Sequence, residues 1–74
     1  MKFNFIQREY EFINSQARWT DNEEKVFKLL TDRRYGIDWT DKSVMMRAEM
    51  SENTFYKVKR EIKEKIRRIM RDFE

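Results

Sequence analysis

The sequence predicts a small all-α fold, a three- to four-helix bundle that contains a helix-turn-helix and ends in a long C-terminal helix. Three observations carry that expectation. Among 74 residues Pro is absent and Gly occurs once, at Gly36, so the residues that punctuate turns and hairpins are nearly missing. Apolar side chains recur three and four residues apart, which gathers them on one face of a helix. Capping residues stand ahead of the four apolar stripes, at Asn4, Thr20, Thr40 and Ser51.

The first helix is expected from about Phe5 to Gln16 with Asn4 as its cap. Phe3, Ile6, Tyr10 and Ile13 form its stripe, widened by Phe5 and Phe12. Thr20-Asp21-Asn22-Glu23 has the form of a capping box and opens a second helix to about Arg33. Val26, Phe27 and Leu30 make its inner face with Leu29 at the margin, and Tyr35-Gly36 stops it, because Gly readily takes the left-handed conformation of a helix end. The third helix runs from its cap Thr40 to about Ala48, with Trp39 placed to staple onto Val44. Ser51 opens the fourth, where Met50 is placed to staple onto Phe55, and no breaker follows before about Phe73. Its apolar residues Phe55, Val58, Ile62, Ile66, Ile69 and Phe73 fall within about 60° of one line at about 100° per residue. Asn53, Tyr56, Lys57, Arg60, Glu64, Arg67, Arg68 and Arg71 point the other way.

Composition excludes several classes of function. Cys and His are both absent, so disulfides and the usual zinc and other transition-metal sites cannot be built. No nucleophile-base pair and no Gly-rich phosphate loop is present, and the sequence therefore predicts neither an enzyme nor a cofactor. Adjacent carboxylates such as Glu23 and Glu24 face different directions and read as favourable charges at a helix N-terminus. The chain is expected to be one domain over residues 1–74, of a size that buries only about 60 % of its unfolded surface. Its core must come from packing, with eleven aromatic side chains among 42 % charged residues. Trp19, Trp39 and the methionines Met45, Met46 and Met50 read as core. Met1-Lys2-Phe3-Asn4-Phe5 lacks the apolar stretch of a signal peptide, and no run approaches the length of a membrane span. A cytoplasmic location is expected, in a bacterium or an infected host cell.

The charge distribution points to a partner. Residues 1 to 50 carry nine basic and nine acidic side chains, whereas residues 51 to 74 carry eight basic and five acidic ones, so the whole net charge of +3 lies in the last helix. An excess confined to one element is expected where that element meets a polyanion, here double-stranded DNA. Residues 40–60 supply the layout of two short helices joined by a three-residue turn, the second opened by Ser51. The third helix is expected to brace the fourth through Val44, Met45, Ala48 and Met50, leaving Ser51, Asn53, Thr54, Tyr56, Lys57 and Arg60 to meet bases or phosphates. Tyr56 is open between contact with DNA and half-buried packing. Arg67, Arg68 and Arg71 are open between phosphate contact and a solvated face with Glu61–Lys65 and Glu64–Arg68 pairs.

These residues also carry two family resemblances. Ser43-Val44-Met45-Met46-Arg47-Ala48-Glu49-Met50-Ser51, followed by Glu52-Asn53-Thr54-Phe55-Tyr56-Lys57-Val58-Lys59, resembles the helix-turn-helix of the sigma-factor promoter-binding region and of phage ArpU-type regulators. That family often has Gly where this chain has Glu49, and a positive φ at Glu49 would cost about 1 kcal/mol or somewhat more. Trp19-Thr20-Asp21-Asn22-Glu23-Glu24 and Tyr35-Gly36-Ile37-Asp38-Trp39 are similar to the opening of Myb/SANT domains. Both resemblances imply a three-helix DNA-binding core, and the first implies a sequence-specific transcriptional regulator of phage origin. The alternative is a helical adaptor that grips RNA polymerase or a replication protein. The Ile62, Ile66, Ile69, Phe73 seam needs a cover, either the first helix (residues 1–17) in a monomer or the same seam of a second chain, and the monomer is the expectation.

Overall fold

The computed structural model describes residues 5–31 and 40–73. Phe3, Asn4, Tyr35, Gly36 and Trp39 fall outside these, with the expectations attached to them. The described residues form four helices and no strand: α1 Gln7–Gln16, α2 Asp21–Leu30, α3 Asp41–Ala48 and α4 Glu52–Met70.

Local chemistry explains each boundary. α1 opens at Gln7, two residues later than its stripe suggests, because Ile6 holds extended backbone in the cap position. Its free N–H donates to Glu9 Oε1 at 3.0 Å, half of a capping box. α2 opens on the complete box: Glu23 N–H donates to Thr20 Oγ1 at 3.2 Å and Thr20 N–H to Glu23 Oε1 at 2.9 Å. It ends at Leu30 rather than near Arg33, and the Thr31 hydroxyl donates back to the Phe27 carbonyl at 2.8 Å. Thr40 caps α3 by accepting from Ser43 N–H at 3.2 Å, as expected. α4 closes at Met70, and Asp72 and Phe73 continue for a single loose turn.

The chain leaves α3 through a Schellman motif. Glu49 N–H bonds the Met46 carbonyl and Met50 N–H bonds the Met45 carbonyl, both at 3.2 Å, which requires Glu49 to turn left-handed at φ 56°, ψ 44°. Ser51 then caps α4 by accepting from Thr54 N–H at 3.3 Å. Met50 is half-buried against the core that holds Phe55, consistent with the expected staple.

The core consists of Ile13, Val26, Phe27, Val44, Ala48, Phe55, Val58, Ile62 and Ile66. Phe27 is its aromatic centre. Tyr10 stacks on it at 5.9 Å, Trp19 at 4.9 Å, and Phe5 approaches at 6.4 Å. Trp19 is therefore core-packed, as expected, although its Nε1–H is buried without an acceptor among the described residues. Met45 and Met50 pack against the core, whereas Met46, expected there, is 70 % exposed on the outer side of α3. α2 is the central element, packed against both α3 and α4, so the bracing of α4 expected from α3 runs largely through α2. α1 packs on α4, with Phe12 and Phe73 at 5.2 Å, and closes the seam. Ile6 does not share in this: as the cap residue ahead of α1 it is 60 % exposed, and Tyr10, Ile13 and Ala17 carry the inner face with Phe5.

Candidate nucleic-acid interface

The side of α4 away from the core is built by its helical period. Phe55, Val58, Ile62 and Ile66 are buried, which turns Asn53, Thr54, Tyr56, Lys57, Arg60, Glu64, Arg67, Arg68 and Arg71 to solvent, all in the exposed class. Every residue expected at the interface lies on this exposed surface, including the cap Ser51. Ser51 and Thr54 are not independent, since the Ser51 hydroxyl donates to Thr54 Oγ1 at 2.9 Å as well as capping the helix. Tyr56 is 44 % exposed with its ring edge-on to Phe55 at 5.4 Å, so one side packs while the other meets solvent.

Apart from the half-buried Lys63, the cations of α4 and its C-terminal end divide in two. Lys59 reaches the first turn of α3, where its Nζ lies 2.7 Å from Asp41 Oδ1. Lys65 reaches the start of α2: Nζ donates to Glu23 Oε1 and, at 3.0 Å, to the Arg18 carbonyl, and it lies 5.8 Å from the centre of the Trp19 ring. Both lysines tie α4 to another part of the fold. Lys57, Arg60, Arg67, Arg68 and Arg71, by contrast, have no hydrogen-bond or ion-pair partner among the described residues. The Glu61–Lys65 and Glu64–Arg68 pairs expected of a merely solvated face are not formed. Lys65 is taken by Glu23 instead, and Glu64 has no partner among the described residues.

Glu23 is the group that sequence reasoning undervalued. It is 1 % exposed, which by itself pushes its carboxyl up. The Lys65 ammonium and the Thr20 backbone and hydroxyl bonds outweigh that burial and hold it below its ordinary value of 4.5. The capping box was legible in the sequence, but the ammonium that also bonds its Glu23 carboxylate comes from a residue 42 positions away. Lys59–Asp41 likewise spans 18 positions, with no local pattern to announce it.

Among the described residues no group of acidic side chains is gathered so as to hold a metal ion, and no helix is long and apolar enough to cross a membrane. No family model matches the chain, and no curated protein or solved structure matches it either.

Proposed function

We propose that this chain is a sequence-specific DNA-binding transcriptional regulator, acting as a monomer in the cytoplasm of a bacterial or phage-infected cell. The start of α4 enters the major groove. The observation that carries this reading is the exposed face of α4, where five cations without a partner among the described residues follow a turn and cap of helix-turn-helix form. Four of the five are Arg, whose planar, always-charged fork suits phosphate oxygens and the O6/N7 edge of guanine. Ser51, Asn53, Thr54, Tyr56, Lys57 and Arg60 occupy the first turns and offer the donors and acceptors that read base edges. Arg67, Arg68 and Arg71 continue the face past those first turns and serve as phosphate contacts.

The rival reading, an adaptor for RNA polymerase or a replication protein, draws less support from the surface. The exposed large apolar groups among the described residues are Ile6, Met46 and Tyr56, which lie ahead of α1, on α3 and on α4 and do not belong to one helix face. A gel-shift titration at two salt concentrations decides between them. DNA binding through several phosphates weakens steeply with salt, with a log-log slope of about −0.9 per phosphate neutralised. A flat salt response, or no shift at all, would sink the DNA reading in favour of the adaptor.

A further inference from the structure

The outer face of α4 also holds a carboxylate that the reading above does not use. Glu64 is exposed and has no ion-pair or hydrogen-bond partner among the described residues, although Arg60, Arg67 and Arg68 stand three or four positions away. A negative charge amid cations opposes phosphate binding unless it is directed at something else.

Its place on the helix says what that is. At about 100° per residue, Asn53, Arg60, Glu64 and Arg71 fall within about 20° of the line opposite the buried stripe. Lys57 and Arg68 lie about 40–60° to one side of that line, and Tyr56 and Arg67 about 40–60° to the other. A helix in the major groove has phosphate walls on both sides and base edges beneath it. The flanks meet the walls, and here they carry three cations and a phenol. A carboxylate on a flank would face phosphates, whereas one on the mid-line faces the floor of the groove.

On that floor the chemistry is selective. An ionised carboxylate only accepts hydrogen bonds, and cytosine presents a lone donor, its N4 amino group. Adenine also has a donor, but its N7 acceptor sits beside it and disfavours a carboxylate. Glu64 follows Arg60 by about 6 Å along the helix axis, which corresponds to about two base pairs of duplex.

We infer that Glu64 is a specificity-determining residue that selects a cytosine about two base pairs from the base met by Arg60. This rests on the DNA reading of α4, and the experiment separates the two. The full chain, Glu64→Ala and Glu64→Gln are each put through selection from random duplex DNA, followed by titration on the selected and on random duplexes. The wild-type site contains a cytosine whose preference drops about tenfold in Glu64→Ala. In Glu64→Gln the same position shifts to adenine, because an amide bonds N6 and N7 together. Both variants bind random duplex more tightly than wild type does, since a like charge has left the face, and both melt as wild type does because Glu64 is exposed. If the variants keep the wild-type site and gain equally on selected and random duplexes, Glu64 merely sets the charge of the face and this assignment is overturned while the DNA reading stands. A wild-type chain that binds no duplex overturns both.

Discussion

Lys59 and Lys65 sit beside the buried stripe of α4 and are held by Asp41 and Glu23, whereas Lys57, Arg60, Arg67, Arg68 and Arg71 on the outer face have no partner among the described residues. One helix thus uses its cations for two purposes. A lysine is a compact charge on a flexible stem, suited to reaching a single carboxylate or carbonyl on a neighbouring element. An arginine spends its energy best on a planar acceptor pair, and here it is turned outward. The lesson is that net charge alone says little about a basic helix. Which cations the fold has already neutralised decides how much charge is left for a partner, and substitutions on the two sides of α4 have different readouts.

The largest effect is expected from uncovering the inner side. Removing residues 1 to 13 takes away most of α1, and with it the packing of α1 on α4 and the contact of Phe12 with Phe73. A domain of this size has only a few kcal/mol to lose, so the truncated chain should unfold or self-associate while the full chain sediments as a monomer. A full-length dimer that persists at all concentrations and survives the truncation would place the cover in a second copy instead.

Next comes the buried pair. Lys65→Met leaves the Glu23 carboxylate buried without its cation and should cost about 2–3 kcal/mol, at the lower end for a broken buried pair because Lys65 keeps part of its side chain in solvent. The pH dependence follows from the direction of the Glu23 shift. Its folded value is depressed, so the pair stabilises in full above the ordinary 4.5 and the stabilisation is lost as pH falls through the lower folded value. In the variant the Thr20 bonds alone oppose burial, so the carboxyl rises from its wild-type position. Denaturant melts should therefore show a gap between variant and wild type that is widest near neutrality and closes as pH drops below 4.5. A gap of constant size across that range would mean that Lys65 contributes by packing on Trp19 and not by charge.

On the outer side stability should not move. Arg60→Ala should cost about 1–3 kcal/mol of binding on the selected site and relax preference at one position, while melting as wild type does. Equal losses on selected and random duplexes would remove Arg60 from base reading. Arg71→Ala has a smaller expected effect, a uniform weakening on all sequences with the salt slope reduced by about one. If the slope is unchanged, Arg71 lies outside the contact and the interface ends nearer Arg60.

The sequence made some of this legible and concealed the rest for physical reasons. Caps at Thr20, Thr40 and Ser51 and the stripe of α4 are local, set by residues within one or two turns, and they could be read directly. The start of α1 was misread because Ile6 looks like a stripe residue and only the Glu9 bond to its N–H marks it as a cap. The Glu23–Lys65 pair was hidden because tertiary packing chose it over the Glu61–Lys65 pair that spacing suggests, and the Asp41–Lys59 pair because 18 positions separate its members. Exposure of the candidate DNA-facing residues could be read from the same period that buries Ile62 and Ile66. That the outer cations lack partners among the described residues needed the fold itself.

The smallest effect tests the hinge between the two sides, the turn that sets the start of α4. Glu49 adopts φ 56° where Gly is usual, and the left-handed conformation costs a residue with a Cβ about 1–2 kcal/mol. Glu49→Gly removes that strain but adds about 0.4–1 kcal/mol of backbone entropy to the unfolded chain, so the net gain should be a few tenths of a kcal/mol to about 1 kcal/mol. Glu49→Asn should gain at least as much, because Asn tolerates the left-handed region without the extra freedom of Gly. Glu49→Ala is the control, since it removes the same charge and keeps the strain. Thermal melts should rank Asn and Gly a few degrees above wild type, with Ala near wild type. Were Ala to rise as far as Gly, the benefit would come from removing a negative charge at the C-terminus of α3 and not from the backbone. The Schellman turn would then be unstrained as it stands, and Glu at this position would be no departure from what the turn requires.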